Sequence, residues 1–149
     1  DHVGGAAKLK KLTGAPVHMN AADGALLALM DVQAGWLGVA TPDVTAVDVN
    51  ARDGATVKLG ETSMEILHTP GHTQGSVCVW IPAEGALVAG DTLFRESIGR
   101  TDLPGGDSRA IIRSIHEKLL VLPEEVRVFP GHGPSTTIGR EKALNPFLR

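Results

Sequence analysis

Two stretches of the chain share one construction. Met64-Glu65-Ile66-Leu67-His68-Thr69-Pro70-Gly71-His72 and Val126-Arg127-Val128-Phe129-Pro130-Gly131-His132 each read as a strand that breaks at Pro-Gly and delivers a histidine just past the turn. Between them the apolar run Ala86-Leu87-Val88-Ala89-Gly90 delivers Asp91 in the same manner, and the chain opens on a further pair, Asp1-His2. Polar groups brought together at the ends of rigid strands are a usual construction of a catalytic site. Neutral imidazoles and carboxylates suit zinc, iron or manganese, and no thiolate accompanies them to enforce zinc alone. A carboxylate can bridge two ions about 3.5–4 Å apart, where they activate a water and polarise a carbonyl. The chemistry that follows is hydrolysis.

The elements that must position these residues alternate. Residues 3–13 read as a short helix stopped by Gly14, with Leu9 and Leu12 on one face and lysines on the other. A strand is expected over 15–19 and a second helix over 22–30. From Asp31 to Asp53 the pattern weakens into turns around Trp36, with one short strand expected at 45–49. Strand patterns return at 56–59 and 64–68, then as a hairpin, 76–81 and 86–89, around Ala83-Glu84-Gly85. Asp107 can cap a helix running to about Leu120, because Ile111, Ile112, Ile115 and Leu119 repeat at three- and four-residue spacing. A last strand at 126–129 precedes a helix that Thr137 opens and Asn145-Pro146 ends. The expected class is α/β, in one domain over 1–149 with no dividing linker.

Composition limits the partners. With 149 residues and 42% hydrophobic content the chain can bury a sizeable core, and it is neither disordered nor fibrous. Its net charge of −3 and the absence of a basic block longer than Lys8-Leu9-Lys10-Lys11 argue against a nucleic-acid surface and for a small-molecule partner. Cys78 is the single cysteine, so no intrachain disulfide or multi-cysteine zinc site forms, and a reducing, cytoplasmic setting is expected. No apolar run approaches the roughly 20 residues of a membrane span.

Asp1-His2, Thr69-Pro70-Gly71-His72-Thr73, Gly90-Asp91-Thr92-Leu93-Phe94 and Pro130-Gly131-His132-Gly133, in this order, resemble the successive motifs of the metallo-β-lactamase fold superfamily. The run from Ser97 to Asp107 is similar to its glyoxalase II-like, single-domain branch in particular. The resemblance covers nearly the whole chain and is weakest between Asp31 and Asp53. It implies an αββα sandwich. The family's first metal motif is H-x-H-x-D-H and this chain starts at D-H, so the resemblance implies a chain lacking its N-terminal strands and the H-x-H. Carried over, His72 and Asp91 would serve the first metal with two histidines upstream of Asp1. Asp1, His2 and His132 would serve the second metal, with Asp91 bridging and Asp1 as the carboxylate that handles the proton.

The implied activity is that of a metal-dependent hydrolase with two zinc ions, or iron or manganese, acting on thioesters such as hydroxyacylglutathione. Two alternatives stand beside it: a persulfide dioxygenase with a single iron, and a catalytically inert fragment. A β-lactamase is disfavoured because the zinc β-lactamases commonly place Cys where Asp91 stands. With four ligands left for the second metal and two for the first, the chain alone is expected to bind about one ion weakly, with activity near background. The remaining histidines have ordinary readings. His116 lies on a solvated helix face, His68 is a structural or supporting neighbour of His72, and His18 is structural. Arg100 and Asp102 either line a pocket entrance or pair with each other across the loop after Asp91. Phe94 and Trp36 either rim the site or pack in the core, and Gly90 and Gly99 allow tight turns.

Overall fold

The protein, described from a computed structural model over residues 2–149, forms two compact units, Asp1–Ala51 and Arg52–Arg149. In the first, α1 (Ala6–Thr13) ends at Gly14, whose left-handed φ of 69° lets its N–H return to the Lys10 carbonyl. The expected strand over 15–19 shrinks to β1 (His18–Met19), because the Val17 N–H is spent on the Asp48 carboxylate, 2.8 Å away. The expected helix over 22–30 is also broken. A 3₁₀ turn (Ala21–Asp23) leads into α2 (Gly24–Leu27), the chain bends at Leu29, and α3 (Met30–Leu37) follows inside the segment expected to be loop. The Leu26 carbonyl, at the end of α2, accepts from the Leu29 N–H at 3.1 Å and from the Gln33 side-chain amide at 2.6 Å. β2 (Val49–Asn50), displaced from the expected 45–49, runs parallel to β1. Asp48 also binds Lys10 at 2.7 Å, tying α1 to this pair.

The second unit holds the main sheet. β3 (Thr56–Leu59), β4 (Thr62–His68), β5 (Val77–Ile81) and β6 (Ala86–Gly90) follow one another antiparallel. β7 (Leu93–Phe94) and β8 (Ser97–Ile98) make a separate small hairpin. After α4 (Ser108–Ser114), β9 (Arg127–Pro130) returns parallel to β6, and β10 (Thr136–Thr137) closes that edge before α5 (Ile138–Leu144). The sheet order is β10-β9-β6-β5-β4-β3. β7, β8 and β10 have two residues each, too short for an alternating pattern to register in sequence.

The core explains why β6 sits centrally and α4 packs where it does. Leu87 and Ala89 of β6 are fully buried with Val128 of β9, against Ile111, Ile115 and Leu119. Those last three are spaced four residues apart and form one stripe. Asp107 caps α4 as expected, accepting from the N–H groups of Arg109 and Ala110 at 2.8 and 2.9 Å. Beyond Ser114 the helix passes into a π-helical turn over Ile115–Leu119, where the Leu120 N–H reaches the Ile115 carbonyl at 2.9 Å. Thr137 caps α5 through the Arg140 N–H at 3.2 Å. No helix among the described residues is long and apolar enough to cross a membrane.

Candidate metal centre

Sheet direction brings the three strand-end motifs to one place. β4 and β6 both run antiparallel to β5, so they run with each other, and β9 is parallel to β6. The C-terminal ends of β4, β6 and β9 therefore lie at the same end of the sheet, where His72, Asp91 and His132 follow. The Gly131 N–H donates to the Gly90 carbonyl at 2.8 Å, which closes the β9 turn onto the β6 end.

Each turn is held from below. The Pro70 carbonyl accepts from the Ser114 hydroxyl at 2.8 Å, and the Gly71 carbonyl from the Asp107 N–H at 2.8 Å, so the turn before His72 lies on α4. Gly71 has a φ of 139°, and a Cβ there would stand 2.3 Å from the Ile111 nitrogen; no other residue type fits. Beneath the site, the buried hydroxyls of Thr69 and Thr92 meet at 3.0 Å, and Thr69 lies 3.4 Å from the Cys78 sulfur. Burial pushes the Cys78 thiol up to about 11, so it stays protonated and is no ligand.

In the site itself, Asp91 Oδ2 stands between two imidazoles, 3.7 Å from His72 Nε2 and 3.5 Å from His132 Nε2. Both separations exceed the roughly 2.7–3.2 Å of an N–H···O bond. They match instead the spacing of two donors on a common ion: bonds of about 2.0–2.2 Å at 109–120° place donors about 3.3–3.8 Å apart. Each of the two pairs thus fits a divalent metal in chemistry and spacing, although among the described residues no group of three His, Cys, Asp or Glu side chains is arranged to hold an ion. His72 offers Nε2 to this space because its Nδ1 pairs with the Arg100 carbonyl at 2.8 Å, the arrangement that fixes the tautomer and orientation of a metal-binding imidazole. Asp91 and His72 are mostly buried, whereas the His132 side chain is 67% exposed and its ring rests on Phe94, centroids 4.6 Å apart.

Sequence reasoning missed the part played by Arg100. Its guanidinium forms a bidentate pair with Asp102, both contacts at 2.8 Å, and both side chains are exposed. It is the Arg100 backbone that reaches the site, and a carbonyl leaves no mark in a residue type. Phe94 takes the rim position rather than the core, while Trp36 is exposed in the first unit. His116 is exposed, as expected. His68 Nε2 donates to the Gln74 carbonyl, 2.9 Å away, and does not join the ligand group. Asp1 lies outside the described residues, and His2 is an exposed residue of the first unit.

A family model of the metallo-beta-lactamase superfamily matches residues 1–132. The chain belongs to that superfamily. Within the metallo-beta-lactamase superfamily it is a metallo-hydrolase. It is 40% identical over 151 residues to the hydroxyacylglutathione hydrolase GloC of Haemophilus influenzae, a match covering 99% of this chain and 71% of that protein. Relatives of comparable identity, such as a Mycobacterium leprae protein at 43%, have no characterised activity. The fold is similar to that of the BLEG-1 B3 metallo-beta-lactamase, with a TM-score of 0.90 at 37% identity, covering 99% of this chain and 72% of that one. It is also similar to TTHA1623 in a di-iron-bound form, with a TM-score of 0.87 at 41% identity and the same coverage. These superfamily neighbours agree with the mixed α/β class read from the sequence.

Proposed function

We propose that this metallo-hydrolase cleaves small acyl thioesters of the hydroxyacylglutathione type, with His72, Asp91 and His132 as metal ligands and Asp91 as the bridge between two ions. The observation that carries the reading is the placement of Asp91 Oδ2 between His72 and His132 Nε2 at donor spacing. A divalent ion held there supplies Lewis acidity toward an acyl carbonyl and toward a water molecule. The chain's own part is positioning. The Arg100 carbonyl orients His72, the turns on α4 and β6 hold His72 and Asp91, and Phe94 presents an apolar face beside His132 on which a substrate's carbon chain can rest. In this reading Asp1 and His2 would complete the second ligand set, and Asp1 would be the carboxylate that takes up the proton released by water.

The ligand set of His and Asp without thiolate, and the relative named for hydroxyacylglutathione hydrolysis, favour the thioester. A β-lactam is the second reading, because of the similarity to BLEG-1. Zinc is the proposed metal, and iron is its competitor given the di-iron form of TTHA1623. A cytoplasmic setting is proposed with it, because a single cysteine, Cys78, leaves no intrachain disulfide to form. The test measures metal content and turnover together, on the chain and on a version to which an H-x-H segment is added ahead of Asp1. Chelation should abolish thioester hydrolysis, and re-addition of zinc, iron or manganese one at a time should identify the metal. Asp91→Asn should lose metal and activity in parallel. Faster turnover of a β-lactam than of lactoylglutathione on one metal-loaded preparation, or an Asp91→Asn protein with full metal and full activity, would sink the proposal.

A further inference from the structure

We infer that Glu141 is a positioning residue of the metal centre: its buried carboxylate holds, at once, the loop that carries His132 and the hairpin that carries Phe94. The inference rests on the reading of His132 as a metal ligand. Glu141 lies on α5 and is fully buried. Its Oε1 accepts from the Thr136 hydroxyl at 2.5 Å. Its Oε2 accepts from the Glu96 N–H at 2.8 Å and from the Asn145 side-chain amide at 2.9 Å. That amide also donates to the Ser97 carbonyl at 3.0 Å. One carboxylate thereby gathers donors from three segments.

Those segments matter because of what they carry. Thr136 follows His132 by four residues in one loop, and Glu96 follows Phe94 by two in the β7–β8 turn. Glu96 has a φ of 56°, the one positive φ outside glycine among the described residues. A side chain in that region is strained and stays there only when its surroundings impose it. The bond from its N–H to Glu141, with Arg140 bound to its carboxylate, supplies the imposition. The two segments then meet at the site, where the Phe94 and His132 rings lie 4.6 Å apart. His132 is too exposed to be oriented by core packing, so its aim depends on the ends of its loop and on Phe94.

A carboxylate is a costly way to fill buried space, since an apolar side chain of similar volume stabilises as well or better. What charge-assisted bonds add is direction. Glu141 fixes where the two loops stand relative to each other, and so where the His132 nitrogen points.

The experiment is a cobalt(II) titration of the whole chain, read by visible absorption well below the unfolding temperature, in a double-mutant cycle of Glu141→Gln and His132→Ala. Glutamine keeps the volume but loses the charge and one acceptor. Glu141→Gln should weaken cobalt binding about tenfold with His132 present. With His132 replaced, it should change binding about twofold or less, while lowering the melting temperature equally in both backgrounds. Thr136→Val, which removes only the hydroxyl on the His132 side, should repeat this pattern and carries the test should Glu141→Gln fail to fold. An equal loss of affinity in both backgrounds, or none in either, overturns the inference and leaves Glu141 a support of the fold alone. If His132→Ala by itself leaves cobalt binding unchanged, it is the ligand reading that fails, and the positioning role falls with it.

Discussion

Gly99 leaves the site almost no slack. A Cβ built there stands 1.8 Å from the Asp91 carbonyl oxygen and 3.3 Å from the His72 Cβ, while its φ is one that any residue can adopt. The constraint is contact, not conformation. Gly99→Ala should therefore displace the Asp91 backbone, destabilise by about 1–3 kcal/mol and lower metal content; chemical denaturation and metal analysis of the variant check both. The Arg100–Asp102 pair beside it makes a different prediction. Hydrogen bonding from Arg100 holds the Asp102 carboxyl down at about 2, below its ordinary 3.8. A depressed acid contributes stability above its unfolded value, and that contribution is lost as pH falls from about 4 through 2. Both groups are exposed, so the effect is small. Asp102→Asn should therefore lower the denaturation midpoint slightly at pH 7 and not at all at pH 2, which makes the acid limb between pH 4 and 2 a little shallower.

Among the elements, α4 and the π-helical turn that continues it do two jobs with one face. Ile111, Ile115 and Leu119 are fully buried, and the Gly71 turn that precedes His72 lies directly on Ile111. Ile111→Ala should cost about 2–5 kcal/mol through lost burial and the cavity it leaves. It should also loosen the turn, so urea denaturation and cobalt affinity should both register it. Loss of stability with unchanged affinity would mean that the turn holds its shape through the Ser114 and Asp107 bonds alone. The stripe, the Asp107 cap and the Pro-Gly turn are all local patterns, which is why this helix was legible in advance. The break at Leu29 was not, because the Gln33 amide that serves the Leu26 carbonyl crosses seven residues and belongs to no periodicity.

At the scale of the molecule, the two units differ in how much they bury. Among the described residues of the first, Met30, Ala34 and Ala51 are the buried hydrophobics, and α1 has no buried residue at all. The second contains the cluster around Leu87, Ile111 and Val128. Segments with few buried contacts open at low free energy. Amides of α1 should thus exchange with solvent well before those of α4 and β6, as hydrogen-exchange mass spectrometry would show. Equal protection in α1 and α4 would contradict this picture.

The sequence by itself determined the donor chemistry and its delivery. His72, Asp91 and His132 each follow a strand, and strand periodicity and Pro-Gly turns are written in neighbouring residues. The main strands β3 to β6 and β9 and the caps at Asp107 and Thr137 were legible for the same reason. Tertiary structure alone decided how the donors are aimed. The Arg100 carbonyl orients His72 across 28 residues, and Glu141 reaches the Glu96 N–H across 45. Phe94 meets His132, and Gly99 fits against Asp91, only because the sheet brings separate loops to one end. Local order repeats with the period of a helix or strand, whereas such contacts depend on loop closure and register, and a backbone carbonyl carries no residue type by which sequence could announce it.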